Sequence, residues 1–278
     1  MKTDFLVKQF EKDMIVKNLS PRTISTYSSR IRLFLEYFSK KDVHKLNYED
    51  IKGHLYYLIK ERNNKASSIK TSIGAMKNFY TLTLNIRWMY KNLPVPKLQE
   101  RLPVVISKEA VCRIIDVTNN IKHKAIFILL YTSGVRISEL LDLKLQDFDS
   151  QRMQIRVLGK GDKYRYTILS ERCLEVLRAY WKEYKPTNYL FNGLKNGKKY
   201  SQSSVRKILE KAVEKAGVKQ KVIVHTMRHS FATHLLESGV NIVIVKNLLG
   251  HTSLKTTMRY IHLQKQPDLG KHPFDSFL

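Results

Sequence analysis

Apolar residues in the first hundred positions recur every three or four residues, the spacing that lines one face of an α-helix. Ser20-Pro21 reads as a hydroxyl cap followed by proline at the first helical position. Ile24, Tyr27, Ile31, Phe34, Leu35 and Phe38 then mark one stripe. Asn47 caps a second segment with Ile51, Leu55, Leu58 and Ile59 on one face, and a third carries Ile69, Ile73, Met76, Phe79 and Tyr80. With residues 4–17 this predicts about four helices and no strand, hence a small helical bundle. Residues 92–106 hold three prolines and no helical period, and they read as an extended linker. Ser107 then caps a new helix, with Glu109 placed to suit its positive end.

Beyond that linker the pattern is mixed. Helical spacing is expected at about 108–118, 121–132, 170–183, 203–216, 226–238, 241–248 and 253–262. Residues 152–158 and 163–169 look like strands, and Gly159-Lys160-Gly161-Asp162 between them predicts a β-hairpin. Gly239 and Gly250 stand where helices end in the left-handed conformation. The fold class expected is mainly α with a small β-sheet. The domains expected are 1–92, a helical bundle, a linker at 93–106, and 107–278, an α+β domain.

Composition adds a partner. The 278 residues carry 50 Lys+Arg against 24 Asp+Glu, a formal net charge of +26. Residues 1–100 hold 19 basic and 9 acidic side chains, and the remainder 31 and 15. Both parts would therefore face an anion, which suggests a clamp better than a basic tail does. Nucleic acid and an anionic membrane are both open from charge alone, beside a merely solvated basic surface. The two cysteines, Cys112 and Cys173, have no spacing for zinc or a disulfide framework. The first fourteen residues are too charged for a signal peptide, and the longest apolar run, 125–130, is far short of a bilayer span. A cytoplasmic protein is expected.

Four segments could carry chemistry. In HTMRHSFATHLLESG, His225 and Arg228 lie three apart, so at a helix N-terminus they can face one phosphate. The ordinary reading of His229 and His234 is core packing or a cap. In the second segment His251 follows Gly250, and Tyr260 lies nine residues on, inside an expected helix. A phenol with pKa ~10 is a poor nucleophile at neutral pH, but a phosphate gripped by several cations relieves that. In the third, Arg136 follows Gly134 and precedes a helix carrying Glu139, with which it would ordinarily pair. In the fourth, Lys160 sits at the hairpin tip, usually a solvated position but one able to enter a DNA groove.

In order along the chain these segments read Ser133-Gly134-Val135-Arg136-Ile137-Ser138-Glu139-Leu140, Gly159-Lys160-Gly161, His225 to Leu235, Leu248-Leu249-Gly250-His251 and Thr256-Thr257-Met258-Arg259-Tyr260. The set resembles the tyrosine recombinase and integrase family, above all its Xer-like and phage-integrase-type members. The likeness is strong in the second domain and loose in the first. Ile261, where many relatives have Thr, and Met227, where Leu is common, depart from the pattern without touching the chemistry.

The resemblance implies a SAM-like core-binding domain followed by a tyrosine-recombinase catalytic domain. It implies site-specific cutting and rejoining of DNA through a 3′-phosphotyrosine and a Holliday junction. By motif, Tyr260 is the nucleophile, Arg136 and Arg228 hold the non-bridging oxygens, and His225 and His251 bond the phosphate, one of them accepting the tyrosine proton. Lys160 is the general acid. No metal, ATP or other cofactor is implied. The partners implied are double-stranded DNA and a homo-tetramer on it, or a hetero-tetramer with a related recombinase. The tail with Leu263, Leu269, Phe274, Phe277 and Leu278 is expected to pack on a neighbouring protomer, a frayed terminus being the plain alternative. A type IB topoisomerase-like monomer, or a DNA-binding protein without catalysis, would be the competing readings.

Overall fold

The computed structural model describes residues 2–90, 92–96, 102–159, 161, 163–193 and 198–263. Lys160 and the tail from residue 264 lie outside these residues, so the expectations placed on them are not met by any structural observation. The chain divides into two units, 1–100 and 101–278.

The first unit is built from α1 (Lys2–Val16), α2 (Pro21–Tyr37), α3 (Tyr48–Lys60) and α4 (Ala66–Leu82). The caps follow the sequence. The Ser20 hydroxyl accepts from Thr23 N–H, and Asn47 and Asp50 form a reciprocal capping box. Phe10, Met14, Ile31, Phe34, Ile51, Leu55, Ile69, Met76 and Phe79 fill the interior. Phe10 and Phe79 meet edge to face at 5.5 Å. Ile59, expected on the buried face of α3, is exposed. One residue advances a helix by about 100°, which turns Ile59 away from the side that Leu55 and Leu58 bury.

The second unit is organised around one helix. α5 (Lys108–Asp116) leads to α6 (Ile121–Ser133), in which every residue from Ala125 to Leu130 is buried. A helix that is apolar all round belongs in a core, and α6 packs against four of the helices that follow it, the seventh to the tenth of the chain. The helices after α6 are α7 (Ile137–Asp142), α8 (Glu171–Tyr184), α9 (Gln202–Lys215), α10 (Val224–Glu237), α11 (Ile242–Leu249) and α12 (Leu254–Met258), of which α11 packs on α10, α12 and the sheet. The hairpin forms as expected from β2 (Gln154–Leu158) and β3 (Tyr164–Ile168). A short strand that the sequence reading did not anticipate, β1 (Phe148–Asp149), extends the sheet in the order β1-β2-β3, all antiparallel. Two residues are too few to show an alternation. In register, Ile155 faces Thr167 and Val157 faces Arg165. This puts Arg165 on the face of the sheet where Ile155 and Val157 are buried.

One expectation needs correction. Tyr260 is not inside a helix over 253–262. α12 stops at Met258, and Tyr260 lies in the turn before a 3₁₀ segment, Ile261–Leu263. Its N–H bonds to the Thr257 carbonyl three residues back, which tightens the chain and swings the phenol inward.

Phe127, fully buried in α6, sets the stability of this unit. Phe127→Ala should cost about 3–5 kcal/mol, measurable as a fall in the urea midpoint of the unit without loss of the first unit's helical signal.

Candidate active site

Two helices in the second unit have a left-handed glycine as the residue directly after their last turn. Gly134 closes α6 at φ 61°, and Gly250 closes α11 at φ 64°. A β-carbon on Gly134 would lie 2.3 Å from the Phe231 ring, and one on Gly250 would lie 2.7 Å from the Arg165 side chain. Only glycine fits either place. A helix that ends this way leaves its last carbonyls without partners from the helix itself. Arg228 collects them: it donates to the Gly134 carbonyl at 2.5 Å and the Leu249 carbonyl at 2.6 Å. Its residue is 2% exposed. The negative ends of two helices thus receive a buried cation.

The turn at Gly134 delivers Arg136, which caps α7. Its N–H and guanidinium both bond the Glu139 carboxylate, each at 2.7 Å. The pairing with Glu139 expected as the ordinary reading is therefore present. Arg165, from β3, also grips Glu139 with two bonds of 2.9 and 2.8 Å, and its Nε donates to the Leu248 carbonyl at 2.9 Å. Burial would raise the Glu139 pKa, but the Arg165 and Arg136 bonds outweigh it and hold the carboxyl at about 2. One carboxylate thus faces three guanidinium groups, with Arg228 Nη1 at 3.9 Å. The cluster keeps a positive excess.

The histidines take their places from α10 and from the turn after α11. His225 and His229 lie one turn apart, with ring centres at 5.4 Å. His251 Nε2 is 3.2 Å from Arg228 Nη2, and its Nδ1 is 2.9 Å from the Thr257 hydroxyl. Arginine can only donate. His251 Nε2 is therefore the acceptor, and Nδ1 carries the proton that goes to Thr257. Tyr260, 4% exposed, stacks on His251 with ring centres at 6.2 Å and hydrogen-bonds His229 Nδ1 at 3.0 Å.

Burial and cationic neighbours act in one sense on the three histidines and on Arg228. Burial, then Arg228 and Arg136, hold His251 at about 4; burial, then His225 and Arg228, hold His229 at about 4. His225 is the most exposed of the three, yet desolvation and the charges of Arg228 and Arg136 still lower its pKa. Arg228 is drawn down to about 10 by burial and by Arg136, which leaves it charged at neutral pH. Burial raises the Tyr260 phenol, against the pull of Arg228, Arg136 and Arg259.

The structure therefore brings together Arg136, His225, Arg228, His251 and Tyr260 of the residues singled out in the sequence. Two more belong beside them. His229, read as packing, touches the tyrosine hydroxyl; its position four residues after His225 was the available signal. Arg165 was hidden in a strand, and only the cross-strand register reveals it. His234 fits the packing reading, with its Nδ1 2.8 Å from the Tyr131 hydroxyl. Among the described residues no group of three or more His, Cys, Asp or Glu is placed to hold a metal ion.

Comparison with known proteins supplies the family. A sequence profile described as "Phage integrase family" matches residues 105–267, and one for the phage integrase N-terminal SAM-like domain matches residues 6–89. The tyrosine recombinase XerD of Staphylococcus aureus is 30% identical over 270 residues, covering 90% of this chain and 91% of its own. The chain belongs to the phage integrase family of tyrosine recombinases. A protein of Sinorhizobium fredii described as integrase/recombinase y4qK is 38% identical over 93% of the recombinase and 84% of its own length. Among solved structures, XerA recombinase has 30% identity and a TM-score of 0.55, covering 99% of this recombinase and 98% of its own chain. XerH bound to a palindromic difH substrate has a TM-score of 0.76 at 24% identity, covering 94% of this recombinase and 82% of XerH; it shows the shared fold.

The low histidine pKa values carry a stability consequence for the recombinase. In the unfolded chain a histidine titrates near 6.5, whereas His229 and His251 stay neutral to about 4 in the fold. Between those values the unfolded state binds protons that the folded state refuses, so stability falls as pH drops from about 6.5 to about 4. Urea midpoints measured across that range should decline, and the slope should be shallower in His251→Gln. Equal slopes in the two proteins would contradict the buried neutral ring.

Proposed function

We propose that Tyr260 attacks a DNA backbone phosphate and forms a 3′-phosphotyrosine, with release of a 5′-hydroxyl strand. The observation that carries this reading is the phenol of Tyr260, buried against two histidines beside a guanidinium cluster with excess positive charge. The transition state gains negative charge on the non-bridging oxygens, and planar guanidinium groups suit it. Arg136, partly exposed, reaches the phosphate directly. Arg228 spends two donors on carbonyls and one on His251, so the phosphate replaces the Arg228–His251 bond. That exchange frees His251 Nε2, which takes up the ring hydrogen and donates it to the phosphate while the Thr257 hydroxyl turns to donate to Nδ1, and His225 bonds the phosphate from the mouth of the site. Lys160 protonates the leaving 5′-oxygen. Removing one such donor typically costs ~10²–10³ in rate.

The same enzyme then joins a strand from a second duplex. The reading extends to four protomers holding two duplexes, with a Holliday junction midway. They are copies of this chain or copies together with a related recombinase. Both units contact DNA as a clamp, supported by the basic excess in each part of the chain. The XerH structure is a post-cleavage complex with its difH substrate, which favours the same partner here. No described helix is long and apolar enough to cross a membrane, in keeping with a cytoplasmic site of action.

A duplex nicked close to the cleavage point traps the covalent intermediate, because the short strand diffuses away. The wild-type enzyme should give a protein–DNA adduct that is absent in Tyr260→Phe. No adduct in the wild type would favour a DNA-binding protein without catalysis.

Arg228 supplies a second test. Arg228→Lys keeps the charge but cannot serve two carbonyls and a phosphate together. Cleavage should fall at least ~10²-fold while DNA affinity, measured by fluorescence anisotropy, changes by less than about threefold. A proportional loss of both would count against the role.

A further inference from the structure

We propose that His229 is the catalytic residue that takes the proton of Tyr260 as the phenol attacks phosphorus, and returns it when the strands are rejoined. This rests on the reading of Tyr260 as nucleophile and replaces the expectation that His225 or His251 would serve.

The assignment follows from where each ring nitrogen points. His251 has both nitrogens engaged, Nε2 accepting from Arg228 and Nδ1 donating to Thr257. Its ring stacks on the Tyr260 ring, so it meets the face of the phenol and not the hydroxyl. His225 lies at the first turn of α10, beside the His229 ring. His229 alone among the described histidines has a nitrogen within hydrogen-bond distance of the phenol oxygen, Nδ1 at 3.0 Å. The other groups acting on Tyr260 electrostatically are Arg228, Arg136 and Arg259, which are cations and cannot accept its proton. The phenol therefore donates to Nδ1, and Nε2 carries the ring's own hydrogen.

The fold holds this contact from two sides. His229 follows Arg228, whose guanidinium is pinned by the ends of α6 and α11, so the angular position of α10 is set there. Tyr260 is pinned by the tight turn after α12 and by its packing with Phe231, Leu249 and Val245. The pair does not depend on flexible side chains finding one another.

The ring is neutral in the free enzyme, which is the form that can accept a proton. Its basicity is low there because His225 and Arg228 add to the effect of burial. An incoming phosphate brings negative charge beside Arg228 and the ring, and it raises the basicity of His229 at the moment of need. As the Tyr260 Oη–P bond forms, the phenol oxygen loses its hold on hydrogen, and the proton passes to Nδ1. The P–O5′ bond breaks, and the 5′-oxygen takes its proton from the general acid, for which Lys160 is proposed. In the return direction the 5′-hydroxyl attacks and gives its proton back to the neutral amine proposed at Lys160, the Tyr260 Oη–P bond breaks, the imidazolium at His229 protonates the departing phenolate, and the enzyme is regenerated. Proton, phosphoryl group and charge balance in each half.

The decisive experiment compares His229→Asn with the parent, each carrying either tyrosine or the more acidic 3,5-difluorotyrosine at position 260. Asn places an oxygen near the Nδ1 position, so it keeps the hydrogen bond but is not a base. Single-turnover cleavage of the nicked duplex should fall about 10²-fold in His229→Asn with tyrosine. The loss should shrink to less than about tenfold with difluorotyrosine, which needs less help to ionise. His229→Gln, which reaches further than Nδ1, should lose as much as His229→Asn with tyrosine. Unchanged DNA affinity and urea midpoint would show that the variants fold. Cleavage by His229→Asn at near the parental rate, or an equal loss with both phenols, overturns the assignment. A parent that forms no adduct overturns the nucleophile reading as well, so the two failures are told apart.

Discussion

The catalytic unit hangs on one buried guanidinium. Arg228 joins the C-terminal carbonyls of α6 and α11, two helices brought to one point by left-handed glycines. Without a cation there, two sets of helix-end carbonyls would face each other in the interior, a repulsive arrangement with unsatisfied acceptors. With it, the ends are fixed, and so are the residues that follow them. Arg136 lies two positions beyond Gly134, and His251 one beyond Gly250. The residue proposed to hold the phosphate is thus also the residue that builds the place where the phosphate goes.

That double duty explains the neighbouring carboxylate. A lone buried Arg228 with Arg136 nearby would be a poor arrangement, since like charges in a region of low dielectric repel. Glu139 offsets part of that charge and takes bonds from Arg136 and Arg165 in fixed directions. Arg165 then reaches on to the Leu248 carbonyl, which ties β3, α7 and the end of α11 into one frame. The compensation is deliberately incomplete, one carboxylate against three guanidinium groups. A site neutral in the free state would gain little from an anion; this one does.

Much of this was legible in the sequence, and the reasons for the exceptions are physical. Helices such as α2 and α3 announce themselves through caps and three-to-four spacing because their signals are local. Arg136, Arg228, His251 and Tyr260 stand out through motif spacing, since chemistry fixes residue type. β1 was missed because its strand character comes from pairing with β2 and not from its own two residues. Arg165 was missed because its partner, Glu139, is 26 residues away, and a basic residue on a strand has solvated surface as its ordinary reading. His229 was set aside because an imidazole on a helix is usually packing. What changes its meaning is a phenol 31 residues later, held there by a turn that helical periodicity alone had continued as helix.

The excess charge also decides how histidine can act. Near several guanidinium groups an imidazolium is unfavourable, and the rings are kept neutral well below physiological pH. Neutral rings offer one donor and one acceptor each, so their roles are set by what each nitrogen touches. For His251 that is an arginine that must donate and a threonine that can accept. For His229 it is a phenol. On the proposed mechanism, a phosphate entering the cluster supplies the missing negative charge, loosens the restraint on protonation and competes for the Arg228 donors at the same time. Substrate binding and readiness for proton transfer would then be one electrostatic event. The same cations that leave the free enzyme's histidines weak as bases allow them to gain strength when DNA is in place.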